Sequence, residues 1–233
     1  MIRFWEKVIK PILIKHEPKR IVEIGVFLSG RTTIKLLEYC KVVNGKLTVI
    51  DPIPYFNTHT FQTFFPKELV LLVKSSIESL PTIESADVYL IDGDHNWYTV
   101  YQELSAIEEA AKSRGKFPII ILHDIEWPYG RRDSYYFPDL IPSDSQLPYA
   151  KKGIVPNSIY LAKTGGLNSD QNHAIHEYGA QNGVLTAIED FLKVTSFSLT
   201  FHRLYTNNGL GILMPSNEDD DRMIQYIIDT AGL

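Results

Sequence analysis

Short apolar runs alternate with amphipathic stretches through the first half of the chain. Residues 21–24, 47–50, 69–73, 88–91 and 119–122 are apolar with little polar alternation. Such runs predict strands covered on both faces of a parallel sheet. Helical spacing lies between them, over 32–40 and over 96–112, where Tyr98, Tyr101, Leu104 and Ile107 recur every three residues. Alternating strands and helices imply right-handed crossovers. A helix follows at 184–193. Two strand-like runs, 197–205 and 210–214, then flank Asn207-Asn208-Gly209. Asn and Gly tolerate positive φ, so this tripeptide predicts a hairpin turn. Ser216 is a candidate cap for a last helix, whose first turn carries Glu218, Asp219, Asp220 and Asp221; carboxylates suit that end of the helix dipole. Residues 4–14 read as a short amphipathic helix kinked at Pro11. Residues 126–182 show no period and are rich in Pro, Gly, Tyr and Asn. So long an irregular stretch predicts a lid or binding insert within a single domain spanning 1–233.

The 233 residues suffice for one large α/β domain. With 23 basic and 28 acidic residues the net charge is −5, which disfavours nucleic acid as a partner. Cys40 is the only cysteine, so no internal disulfide forms. With no secretory signal, a reducing cytoplasm is the expected compartment. Cys40 sits in an amphipathic run and reads as a small buried hydrophobe. No apolar stretch approaches the roughly 20 residues of a membrane span, so no membrane association is expected. Trp127, Tyr129, Arg131, Arg132, Tyr135, Tyr136 and Phe137 crowd the start of the insert. Aromatics with arginine suit a polar, ring-shaped small molecule. A self-packed loop or a contact between copies of the chain is the plainer alternative, and a homo-oligomer stays open. His173, His176 and Glu177 follow, without a helical pattern to gather them around a metal.

Chemistry-bearing residues concentrate where the apolar runs end. The first run gives Glu23-Ile24-Gly25, and Gly30 and Thr32 open the next helix. Gly25 lets the backbone turn sharply and approach a ligand. The second run ends at Asp51, placed to accept hydrogen bonds from two ribose hydroxyls. The third leads into Lys74-Ser75-Ser76-Ile77, the fourth into Asp92-Gly93-Asp94-His95, the fifth into His123-Asp124. Open α/β sheets bind ligands beyond the carboxyl ends of their strands. Charged groups directly after buried runs need a partner or a ligand. Asp94 is also a candidate N-cap for the helix that follows.

The stretch from Val22 to Thr33 resembles the glycine-rich first motif of class I methyltransferases, which bind S-adenosylmethionine (SAM). Residues 18–125 are similar to the bacterial methyltransferase type 24 group and to macrocin and catechol O-methyltransferases. Five parallel strands and an antiparallel hairpin match that fold: an α/β, doubly wound, Rossmann-like sheet with helices on both faces and a long lid insert. A dinucleotide-binding domain would end in another parallel unit. The phosphate-cradling G-x-G-x-x-G is absent, and SAM has no pyrophosphate to cradle. The resemblance implies SAM bound by Glu23, Gly25, Gly30, Thr32, Asp51, Ser76, Ile77 and Asp92, with Ser76 at the adenine amine and Ile77 on the ring. Metal-dependent relatives hold a cation with a carboxylate after the fourth strand and two oxygen ligands after the fifth. The matching positions are Asp92, His123 and Asp124. Imidazole suits Zn, Mn, Fe or Ni better than Mg, so the identity of a divalent metal stays open. His95 and His123 are both candidates for the base that takes the acceptor's proton. A metal-free arrangement, with a carboxylate orienting a histidine, is the alternative. The implied activity is O-methylation of a small hydroxylated acceptor, a sugar or a secondary metabolite. A metal-dependent hydroxylase on the same scaffold and a SAM-binding protein without turnover are the rivals.

Overall fold

The computed structural model describes residues 1–26 and 29–233; Phe27 and Leu28, inside the glycine-rich motif, lie outside the described residues. Five apolar runs form parallel strands: β1 (Arg20–Ile24), β2 (Lys46–Ile50), β3 (Leu69–Leu72), β4 (Val88–Ile91) and β5 (Ile119–His123). The insert holds β6 (Ser134–Tyr135), β7 (Tyr149–Lys151) and β8 (Asn172–Ala174), and the hairpin is β9 (Leu199–Leu204) and β10 (Leu210–Pro215). The main sheet runs β3-β2-β1-β4-β5-β10-β9, with only β10 and β9 antiparallel to their neighbours. Ile24 pairs with Ile50 and with Ile91, and Ile91 with Leu122. This register brings the residues after β1, β2 and β4, and the end of β5, to one edge. Leu210 pairs with His123, so the hairpin turn meets the same edge.

The helices are α1 (Lys10–His16), α2 (Arg31–Val43), α3 (Thr58–Phe64), α4 (Ser76–Ser79), α5 (Trp97–Arg114), α6 (Val184–Val194) and α7 (Glu218–Thr230). Alternate strand residues feed two cores. Ile21, Val49, Leu90 and Ile121 pack with Leu36, Leu37, Cys40 and Ile224 on the α2–α7 face. Val22, Ile91, Ile120 and Leu122 pack with Val100, Leu104, Ile188 and Phe191 on the α5–α6 face. Full burial of such side chains is worth roughly 1.5–3 kcal/mol each, which is why runs without alternation form strands here. Asn207, Asn208 and Gly209 all have positive φ, as the hairpin requires. No helix among the described residues is long and apolar enough to cross a membrane.

Four details differ from the expectations. Asn96, not Asp94, caps α5, its side chain accepting from the Thr99 amide at 2.8 Å. Asn217, not Ser216, caps α7. The N-terminal helix is composite: a 3₁₀ turn (Ile2–Phe4) and a π-helical turn (Trp5–Ile9) precede α1, and Pro11 lies in the first turn of α1. There it marks the junction between the π-helical turn and α1. The insert is not irregular throughout, since β6, β8 and β7 make an antiparallel sheet.

A buried carboxylate helps fasten that second sheet to the first. Asp133 Oδ1 accepts the amides of Trp97 at 2.7 Å and Gly183 at 2.6 Å, and Oδ2 accepts the Tyr135 hydroxyl at 2.7 Å. It therefore ties the starts of α5 and α6 to β6. Gly183 is obligatory here: with φ of 89°, a Cβ would lie 2.5 Å from the Arg132 nitrogen. Beside it Arg132 is fully buried and donates to the carbonyls of Ala174 and Ile159.

Asp133→Ala should strand these buried donors, at roughly 1–3 kcal/mol each. A urea midpoint unchanged from wild type would show that the insert is not held this way.

Burial pushes the Asp133 carboxyl up to about 6 and Glu23, inside β1, up to about 8. Both lie above the unfolded values of about 4. The folded chain thus keeps protons that the unfolded chain releases. Their contribution to stability is greatest below about pH 4 and declines as pH rises through 6 and then 8. Glu23→Gln should flatten the fall in melting temperature between pH 5 and pH 8; an identical slope in that variant would contradict the assignment.

Candidate active site

Asp92 follows β4, His123 ends β5, Asp124 comes next with φ of 58°, and Asn207 and Asn208 reach in from the hairpin turn. His123 Nδ1 lies 2.8 Å from Asp124 Oδ2 and 3.1 Å from Asp92 Oδ1, and its Nε2 lies 3.1 Å from the Asn207 carbonyl. Carboxylates and carbonyls only accept, so both ring nitrogens donate and His123 is an imidazolium. Burial alone would lower its pKa, but the charge of Asp92 and the bonds to both carboxylates raise it to about 9. Asn208 Nδ2 donates to Asp124 Oδ1 at 3.0 Å. Burial would push Asp92 and Asp124 upward; the charges of His123 and His95 instead hold both carboxyls well below the usual range.

His95, between β4 and α5, faces the same carboxylates. Its Nε2 is 2.9 Å from Asp124 Oδ2 and 3.8 Å from Asp92 Oδ1. Although so close, this buried nitrogen closes no hydrogen bond among the described residues. Burial works against its charge, but Asp124 more than compensates and raises its pKa well above the ordinary value. The insert supplies the rest of its surroundings. Tyr129 stacks on the ring at 4.8 Å, with 8° between planes, and the Tyr136 hydroxyl is 3.3 Å from Nδ1. The Ser134 amide donates to the His95 carbonyl at 3.0 Å. On the other side Phe4 meets His123 edge-on at 5.8 Å, and the ammonium of Met1 lies 3.2 Å from Asp92 Oδ2.

All four expected residues therefore converge. Ligand atoms of Asp92, His95 and Asp124 lie within 4.8 Å of one another. Once His95 Nε2 gives up the proton it directs at Asp124, it and the two carboxylates fit a divalent cation with one nitrogen and two oxygen donors. The expected set contained His123 in place of His95, but both His123 nitrogens are engaged. Ring orientation, which sequence spacing does not carry, separates the two histidines.

The residues expected to hold a cofactor are spread along the same edge. Asp51 is buried, and its two oxygens accept the amides of Val26 and Ile53, each at 2.8 Å. Only its remaining lone pairs are open to a ribose. Gly25 presses on the loop after β4: a Cβ there would lie 2.3 Å from Gly93 Cα. Gly30, with φ of 57°, precedes α2, and half-buried Thr32 lies in its first turn. Ser76 opens α4 and is buried, while Ile77 is half-buried. Glu23, the penultimate residue of β1, is buried beside Thr33 and feels the charges of Asp92 and Asp51. A cavity of about 570 Å³ lined by Arg20, Glu84 and Arg114 is at the opposite edge, where the strands begin, far from this chemistry.

Sequence reasoning grouped the insert aromatics but did not tie Tyr129 and Tyr136 to His95, and missed Asn207 and Asn208 as partners of the cluster. No local pattern signals such contacts between distant segments. His173, His176 and Glu177 are dispersed: His173 Nδ1 meets the Lys152 carbonyl at 2.7 Å, His176 packs edge-on against Tyr160, and Glu177 lies 3.6 Å from Arg132.

Neither a protein-family model nor a curated protein matches the sequence. Solved structures do match its fold. A Klebsiella pneumoniae protein described as an O-methyltransferase aligns with a TM-score of 0.51 at 16% identity, over 89% of this chain and 77% of that one. A Podospora anserina methyltransferase bound to S-adenosylhomocysteine aligns with a TM-score of 0.50 at 13% identity, over 88% and 75%. A 1,6-didemethyltoxoflavin-N1-methyltransferase from Burkholderia thailandensis gives 0.50 at 12%, over 89% and 76%. The chain has the Rossmann-like fold of these methyltransferases.

Proposed function

We propose that the chain moves a methyl group from SAM to a hydroxyl oxygen of a small molecule, with a divalent cation beside the reacting atoms. The observation that carries this reading is the meeting of Asp92, His95, His123 and Asp124 at the carboxyl edge of a methyltransferase-type sheet. SAM supplies an electrophilic methyl, and a bound cation lowers a hydroxyl's pKa and orients it. The residues supply the rest. Asp92, His95 and Asp124 present the donor atoms for the cation. Mixed nitrogen and oxygen donors favour Mn, Fe or Zn over Mg. His123 already carries two donated hydrogen bonds, so its role is to keep both carboxylates ionised, not to act as the base. Gly25, Asp51 and Asp92 form one flank of the cofactor crevice, and Ser76 and Ile77 the other.

An oxygen acceptor fits better than a nitrogen one. A hydroxyl must lose its proton as it attacks, and a cation with an adjacent His–Asp pair serves that need. Without a cation, the proton would go to His95 oriented by Asp124, a route open only above the raised pKa of that ring. Trp127, Tyr136 and Phe137 are partly exposed on the insert, and Tyr136 touches His95. They suit a planar, hydroxylated ring on that side of the cluster.

S-adenosylhomocysteine should bind, and Asp51→Ala should weaken it by roughly 2–4 kcal/mol through lost charge-assisted hydrogen bonds. Calorimetry with equal affinity in the variant, circular dichroism confirming its fold, would remove Asp51 from the site. Tight binding of NADH instead would sink the cofactor reading.

Chelation should abolish methyl transfer, and Mn²⁺ or Zn²⁺ should restore it. His95→Ala should lose titratable Mn²⁺ binding, while His123→Ala should weaken binding indirectly, by loosening both carboxylates. Turnover that survives exhaustive chelation excludes an essential cation and leaves His95 as the base.

A further inference from the structure

The plane of an imidazole ring is soft, because its outer torsion has broad preferences. His95 lies in the loop between β4 and α5, where a side chain is held less precisely than on a strand. A ligating nitrogen directs its lone pair within the ring plane. That plane must therefore be set to within roughly 10–20° for Nε2 to face a cation between Asp92 and Asp124.

Tyr129 lies against His95 in the geometry that sets it. The two ring centroids are 4.8 Å apart and the planes differ by 8°. The tyrosine is buried and is itself held on every side. Its hydroxyl accepts from the Asn168 amide and donates to Gln171 Oε1 at 3.1 Å. Its backbone N–H donates to the Glu126 carbonyl at 3.1 Å, and its carbonyl accepts from Val184 at 3.0 Å. His173 covers its second face at 6.0 Å, with 23° between planes, and His173 Nδ1 meets the Lys152 carbonyl at 2.7 Å. Lys152, Asn168 and Gln171 all belong to the connection between β7 and β8. Ile154 and Leu167 pin that connection by exchanging two backbone hydrogen bonds of 2.9 Å. The outer part of the insert thus reaches the cluster through one ring. A tyrosine present only to fill space needs partners for its hydroxyl, but no alignment with an imidazole.

We propose that Tyr129 is a positioning residue for His95, fixing the plane of the imidazole so that Nε2 faces the cation. This rests on the cation reading above, and gives the connection between β7 and β8 a part in the affinity of the metal.

The test measures Mn²⁺ affinity on the full chain, by electron paramagnetic resonance of the free ion. It compares wild type with Tyr129→Leu, Tyr129→Phe, Gln171→Ala and Phe117→Leu. Phe117 is a buried ring before β5, at the opposite edge of the sheet, so its variant loses similar packing without touching His95. Tyr129→Leu should bind Mn²⁺ roughly 10- to 100-fold more weakly, the range for groups that orient a metal's ligands. Tyr129→Phe keeps the stacked plane and should recover most of that loss. Phe117→Leu should melt earlier and keep wild-type affinity. Unchanged affinity in Tyr129→Leu overturns the proposal and leaves the cation reading standing. An equal loss in Phe117→Leu also overturns it, since the effect is then one of general stability. So does an equal loss in Tyr129→Phe, which moves the effect from the ring to the hydroxyl. If Tyr129→Leu does not fold, Gln171→Ala decides, because it frees one anchor of the hydroxyl and leaves the ring in place. Binding a few-fold weaker there supports the proposal, and wild-type affinity overturns it. Wild type that binds no Mn²⁺ defeats the cation reading and the proposal with it.

Discussion

Two carboxylates share one imidazolium, and much of the architecture serves that arrangement. Asp92 and Asp124 both face His123 Nδ1, at 3.1 and 2.8 Å. Like charges this close, away from water, are untenable without a counter-charge. His123 provides it only because its second nitrogen has a carbonyl to donate to. That carbonyl comes from Asn207, in a turn where Asn207, Asn208 and Gly209 all adopt positive φ. The antiparallel hairpin is thus more than a terminator of the sheet. Pairing Leu210 with His123 sets the turn beside the cluster. Asp124, itself at positive φ, turns its carboxylate back between the two histidines.

The second histidine depends on a different anchor. His95 sits in a loop, where a side chain is ordinarily less precisely placed than on a strand. Here its carbonyl accepts from Ser134, and the next residue but one, Trp97, donates to Asp133. Asp133 also holds the start of α6, so the insert and two helices fix the His95 backbone together. Tyr129 then covers the ring and Tyr136 meets its Nδ1. An insert bonded this way is a wall of the site. Tyr136 and Phe137, on this wall, are about 40% exposed.

The fold was legible because runs of apolar residues leave a strong mark: five of them gave five parallel strands, although β3, at the sheet edge, has no fully buried residue, and Asn207-Asn208-Gly209 gave the hairpin. Short elements left no such mark. α3 buries no residue and α4 has four residues, too few for a period. β6, β7 and β8 are two or three residues long, and their pairing is a long-range property. The N-cap of α5 went to Asn96 although Asp94 is equally suited by type. Asp94 instead accepts from the Thr99 hydroxyl at 3.2 Å. In the site, position along the strands told which residues meet. It did not tell which way the rings of His95 and His123 point, nor that Asp51 is already bonded to Val26 and Ile53.

Charge balance links the two faces of the cluster. Two carboxylates stand against two imidazole rings, each ring raised toward its charged form by the carboxylates. A divalent cation carries the same positive charge as two such rings. For His95 to offer Nε2 as a donor, that nitrogen must give up its proton, so cation and proton compete for one lone pair. His123 does not face this choice, because both its nitrogens have acceptors. On the reading proposed above, a cation would displace the proton at His95 while His123 goes on neutralising the carboxylates.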